Sequence, residues 1–178
     1  MTAAAAPSPG PGSQQPGPAS QQPGPAARRA GPEARAVGLA ARQAELVAAL
    51  VGGGDVPAGF DAHRVGAAAA ALRRKRAGEV ARVWPLLAAS LGPRWPELFG
   101  AWAAGREPAG SFLDGWAFAR AQRAAGTLPA LAIGELAAVE AGWVLRDGVA
   151  RRRRAPAVRR GGGLVVFQVG GRLFRFGR

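Results

Sequence analysis

The chain has 178 residues, carries 24 basic against 11 acidic side chains for a formal net charge of +13, and contains no cysteine. That length allows one modest core plus extensions, and the missing thiols exclude disulfides and thiolate metal sites. The N-terminus has neither an early basic cluster nor an apolar run, and no apolar segment reaches the roughly 18 residues of a membrane span, so a cytoplasmic protein is expected.

Residues 1–32 hold eight of the fifteen prolines and an unchanged seven-residue repeat, Ser13–Ala19 followed by Ser20–Ala26. Such a segment buries too little apolar surface to offset its ordering entropy and is predicted to be a disordered arm. Helical patterning begins at Pro32-Glu33, where a proline and an acid suit a helix N-terminus. Leu39, Leu46, Val47, Leu50 and Val51 are expected on its buried face, up to the stop at Gly52-Gly53-Gly54.

Asp61 is the next predicted N-cap, with Phe60 and Val65 placed to close a hydrophobic staple over a helix that runs toward Val83. Pro85 and Pro93 each end one helix and open another, and the short helix between them offers Leu86, Leu87 and Leu91. Trp95, Leu98, Phe99 and Trp102 then share one helical stripe and are expected in the core. Ser111 with Asp114 three residues on resembles a capping box, opening a helix that carries Phe112, Leu113, Trp116 and Ala119. Thr127 is read as the cap of a last helix with Leu131, Leu136, Val139 and Trp143 on its buried side. Trp84 has no such helical explanation.

The pattern changes at Asp147-Gly148. Leu164–Val169 is a β-branched and aromatic run, Gly170-Gly171 a two-residue turn, and Arg172–Phe176 mixes charge with large apolar residues, which together signal a β-hairpin. A lone hairpin is marginal in water, so it must pack on the helices, recruit the Val158 region as a third strand, or dock on another protein. The predicted architecture is therefore an all-α domain over 33–146, an Arg/Gly-rich linker over 147–163, and a small hairpin over 164–178, behind a disordered arm over 1–32.

Charge is concentrated at the end. From Arg146 onward ten arginines face the single acid Asp147, whereas residues 37–145 hold eleven basic and nine acidic side chains. A field gathered on one end steers an acidic partner to that end. Arg151, Arg152, Arg153, Arg154, Arg159 and Arg160 form the main candidate set for phosphates or an acidic peptide. Arg73, Arg74, Lys75 and Arg76 form a second set, although four consecutive helical residues cover most of a turn and cannot all meet one ligand.

Catalytic patterns are missing. His63 is the one histidine and has no carboxylates at a metal-ligand spacing, and no serine has a histidine partner suggested by motif. Glu135 and Glu140 point to different helix faces, and Gly161-Gly162-Gly163 precedes a strand, whereas a phosphate-cradling loop follows one. A non-enzyme without a cofactor is expected.

Several residues in order resemble a known family. Ala41-Arg42-Gln43 opening a helix, Trp84-Pro85 in place of Phe-Pro, Leu91-Gly92, Phe99, the connection from Pro108 to Gly115, and Leu128-Pro129-Ala130-Leu131 with Glu140 are similar to helical proteins labelled as a DNA-binding domain. These are typically encoded beside multinuclear non-haem iron oxidases that modify cysteine-containing peptides. The similar stretch is about Leu39 to Arg146. The chain departs from the pattern at Leu72-Arg73-Arg74-Lys75-Arg76, where the family often has Ile-Tyr-Arg followed by Asn. It also has the arginine-rich tail and hairpin where larger members carry a second domain, which resembles a shorter variant of high-GC bacteria. The resemblance implies a non-catalytic accessory that presents a precursor peptide to, or docks on, the iron oxidase. The family's label implies the alternative, a DNA-binding module whose tail arginines contact phosphates.

Overall fold

The computed structural model describes residues 32–177, so the predicted arm, but for Pro32, lies outside the described residues. The chain divides into a unit that ends at Leu39 and a unit that begins at Ala40, and the second holds the core, both sheets and every site described below.

Helix α1, Pro32–Val47, runs into a π-helical turn, Ala48–Gly52, closed by Gly53 at φ 72° with its N–H on the Ala48 carbonyl. Ala49 is buried in that turn, whereas the expected core residues Leu39 and Val47 are exposed. Helix α2, Ala62–Val83, starts as predicted at Asp61, whose side chain accepts from the Arg64 N–H at 3.1 Å. Its buried positions Val65, Ala69, Ala77 and Val80 are small, which lets neighbouring helices approach closely.

Trp84 joins α2 to α3, Pro85–Leu91. Its N–H closes α2 on the Val80 carbonyl at 2.8 Å and its carbonyl accepts the first bond of α3, from Ala88, at 3.1 Å. Pro85 fits the first turn because that N–H needs no partner. A 3-10 turn, Gly92–Arg94, leads to α4, Trp95–Ala103, followed by α5, Ser111–Ala124, and α6, Ala130–Gly142.

The core gathers Val80, Trp84, Leu87, Trp95, Phe99, Phe118 and Leu136, with Trp95 and Phe118 edge to face at 5.4 Å. The expected α4 stripe is there: Trp95 and Phe99 are buried, and Leu98 and Trp102 pack against them. Trp84, left without a role by the sequence pattern, is among the most buried side chains, and its indole N–H donates to the Phe112 carbonyl at 3.0 Å. The ring lies over Gly115, where a Cβ would collide with it.

Three caps and faces differ from expectation. Gly110, not Ser111, precedes α5, because Asp114 is turned inward and is not free to serve a capping box. Thr127 bonds back to Gln122 at the end of α5, and α6 begins later, at Ala130 after Pro129. Leu131 is consequently exposed, and Trp143 opens a strand where a helical residue was expected.

The fold is mostly helical and not all-α, since five strands follow α6. Strands β1, Trp143–Arg146, and β2, Val149–Arg152, form a two-stranded antiparallel sheet, and β3, Ala157–Gly161, β4, Leu164–Val169, and β5, Arg172–Gly177, form a second in that order. The predicted hairpin is β4–β5, and β3 is the third strand from the Val158 region. The stretch 147–163 is thus no linker: repulsion along an arginine run weakens once a strand sends alternate side chains to opposite faces. All three hairpins turn on two residues with positive φ, Asp147-Gly148, Gly162-Gly163 and Gly170-Gly171, the backbone that matches strand twist.

Helix α6 is covered on two sides. Leu136 and Ala132 enter the helical core, while Ala137, Ala138 and Ala141 meet Val166 of β4. A Cβ at Gly134 would stand 2.7 Å from Leu164, so glycine is what lets the sheet close on the helix.

Candidate partner-binding surface

The two basic clusters have different fates. Arg76 is 12% exposed and Asp114 3%. The guanidinium meets the carboxylate through Nε and Nη2, both at 2.8 Å, and donates further to the Arg106 carbonyl at 2.8 Å and the Glu107 carbonyl at 3.3 Å. Asp114 also accepts from the Ala109 N–H at 3.0 Å. A buried carboxylate requires such partners, and this one ties α2 to the α4–α5 connection. Arg76 therefore leaves the set of ligand-binding candidates. Lys75 sits 3.9 Å from Glu79 on the surface, and Arg73 and Arg74 border an open hollow with Pro96 and Glu97.

The tail arginines separate by strand face. In register, Trp143 opposes Arg152 and Val144 opposes Arg151. Arg152 stacks over the Trp143 ring, its guanidinium carbon 4.6 Å from the centroid. Arg146, Arg151, Arg152, Arg153 and Arg154 all border a concavity of about 680 Å³ together with Val144. Arg153 is also structural: its N–H donates to the Gly142 carbonyl at 2.8 Å and its carbonyl accepts from Gln168 at 3.1 Å, which joins the two sheets.

In the three-stranded sheet Arg159 is half-buried and donates to the Val158 carbonyl at 2.9 Å, whereas Arg160 is exposed. The pairing aligns Val158 with Phe167 and Phe167 with Phe174, and in the next row Arg160 with Val165 and Val165 with Phe176. These residues share the face turned away from α6. Phe167, Phe174 and Phe176 are 37%, 44% and 63% exposed, beside Val158 and Val169, which are exposed as well. Arg160 and Arg172 flank this apolar face, and no acid occurs from Gly148 to Gly177.

Burial pushes the Glu135 carboxyl above its ordinary range, partly offset by hydrogen bonds from the Leu87 and Leu86 N–H groups at 2.7 and 3.3 Å and by the Arg175 charge. Those contacts place the Glu135 carboxyl at the start of α3, where it accepts from two N–H groups of the first turn. Among the described residues, no three of His, Cys, Asp and Glu gather in a metal-binding group. None of the described helices is long and apolar enough to cross a membrane.

Sequence reasoning missed the Arg76–Asp114 pair, the anchoring of Trp84 and the exposed phenylalanine face. One signal pointed toward the ion pair, and another toward the β1–β2 hairpin. A carboxylate set among Leu113, Gly115 and Trp116 needs a cation, and Asp-Gly between Arg146 and Val149 is a hairpin turn pattern.

A mostly helical domain with a β-structured, arginine-rich end and an apolar outer face is the class of molecule these features define. Residues 40–124 match the family described as SCO6045-like, C-terminal domain, a description that states no activity. The match falls within the stretch that resembles the oxidase-associated helical proteins, and it names neither DNA nor an oxidase. The chain matches no curated protein and no solved structure.

Proposed function

We propose that the protein is a non-catalytic accessory in peptide modification, which presents a precursor peptide to, or docks on, a multinuclear iron oxidase. The observation that carries this reading is the outer face of the β3–β4–β5 sheet, with its exposed phenylalanines, its flanking arginines and no acid. Apolar surface gains by being covered with apolar surface, and the arginines favour a partner whose rim is acidic. Strand β5 lies at the edge of its sheet, so its outer backbone groups are positioned to take an added strand of peptide or enzyme.

Nucleic acid is the second reading, favoured by the concavity bordered by Arg146, Arg151 and Arg154. A phenylalanine face gives a duplex's phosphate backbone nothing to bind, whereas exposed rings stack on unpaired bases, so for duplex this reading rests on the arginines alone.

The test is co-expression with an iron oxidase and a cysteine-containing precursor encoded in the same gene cluster. The full chain is expected to co-purify with the oxidase and support modification, and Phe174→Asp with Phe176→Asp to abolish both while leaving the far-ultraviolet spectrum unchanged. In parallel, duplex binding is measured against salt. Weak binding at physiological salt is expected. No association with the oxidase, together with tight duplex binding whose log-log salt slope of about −3 disappears on replacing Arg146, Arg151 and Arg154, overturns the accessory reading.

A further inference from the structure

A cavity of about 330 Å³ lies on the helical side of the protein, apart from the phenylalanine face, and independent of the function proposed above. Its volume is at the small end of ligand pockets, the size of one amino-acid-like group. Trp102, Leu113, Trp116 and Leu145 supply apolar walls.

Trp116 is 5% exposed and its indole nitrogen is closed off by its neighbours, so the ring adds apolar wall and no donor. The unspent polar feature of the cavity is a cation. The lining holds Arg76, Arg106 and Arg120 against Asp114 and Glu107, which leaves one positive charge. Arg76 is saturated by Asp114 and two carbonyls, and Arg120 stands 3.6 Å from Glu140. Arg106 lies over the Trp102 ring at 5.2 Å and gives Nε to the Trp102 carbonyl at 2.8 Å, and among the described residues no carboxylate lies within ion-pair distance of it. Its terminal nitrogens are thus held beside the apolar walls without an ionic partner.

We infer that this cavity binds an apolar, amino-acid-sized group bearing a carboxylate, with Arg106 pairing the carboxylate and Trp102, Leu113 and Trp116 covering the apolar part. The C-terminal residue of a peptide and a free N-acylated amino acid share that chemistry.

Calorimetric titration of the full chain with N-acetyl-L-leucine, N-acetyl-L-leucinamide and acetyl-Gly-Gly-Leu tests the inference. The acid is expected to bind with a Kd on the order of 1 mM, and the neutral amide about fivefold more weakly. Arg106→Gln should erase that preference, and Arg106→Lys should restore part of it. Tighter binding of acetyl-Gly-Gly-Leu than of the single acid assigns the site to a peptide terminus, and the reverse to a small acid. Equal affinity for acid and amide, a preference unchanged in Arg106→Gln, or no saturable binding up to about 20 mM overturns the inference.

Discussion

Phenylalanine is used in opposite ways in the two halves of this molecule. Between Ala62 and Gly142, Phe99 and Phe118 are fully buried in a cluster of aromatic rings, whereas Phe167, Phe174 and Phe176 in the strands face outward. Arginine divides likewise: Arg76 is an internal strut, and Arg151, Arg154 and Arg160 are surface charges. Residue type therefore does not set the role. What sets it is whether an opposing layer exists, because α4 and α5 close on each other while the outer side of the sheet has nothing across it among the described residues.

The contrast predicts which substitutions are felt in stability. Phe118→Ala should cost about 3 to 5 kcal/mol in denaturant unfolding, while Phe174→Ala should change it by less than about 1 kcal/mol. A comparable loss at both positions would mean that the outer face is covered in solution. Arg76→Ala leaves Asp114 buried without its cation and should cost about 3 kcal/mol, against about 0.5 kcal/mol or less for Arg151→Ala. If Arg76→Ala is neutral, the pair is not the strut described.

Gly115→Ala places a methyl group against the Trp84 ring and should destabilise by about 1 to 3 kcal/mol, accompanied by a change in near-ultraviolet circular dichroism. The smallest effect concerns Glu135. Its folded-state pKa lies above the ordinary 4.5 because burial outweighs its hydrogen bonds, so the folded protein takes up this proton first as pH falls. The resulting stabilisation is fully present below 4.5 and lost as pH rises through the raised value. The thermal midpoint of the wild type should accordingly rise relative to Glu135→Gln between neutral pH and 4.5. A gap that moves the other way would show that the Leu86 and Leu87 N–H groups dominate.

The elements whose determinants are local were legible in the sequence. Asp61 caps α2, Pro85 opens α3, the Trp95–Phe99 stripe is core, and Gly170-Gly171 turns a hairpin, each decided within a few residues. What was not legible depends on distant partners. Nothing near Arg76 separates it from Arg73 or Arg74; the difference lies in Asp114, 38 residues away. Trp143 continues the α6 apolar pattern and is a strand residue only because Asp147-Gly148 turns the chain so that β2 pairs with it. Of the basic candidates, Arg151, Arg152, Arg153 and Arg154 share one concavity, where Arg152 also stacks on an indole and Arg153 also joins the two sheets, whereas Arg76 is an internal strut.

The two-sided burial of α6 bears on how the chain is made. Its second side is built from Ala137, Ala138 and Ala141, which are covered by β4, and from Gly142, where an added Cβ would stand 3.5 Å from Leu173 of β5. During synthesis the helices can gather on their own aromatic centre while that side still faces water, and the helix is enclosed only when β5 has left the ribosome. The helical half therefore has one side of α6 that the strands cover. A chain cut before β4 would leave a stripe of alanine and glycine too narrow and too flat to hold another partner, and would be the form most open to proteolysis.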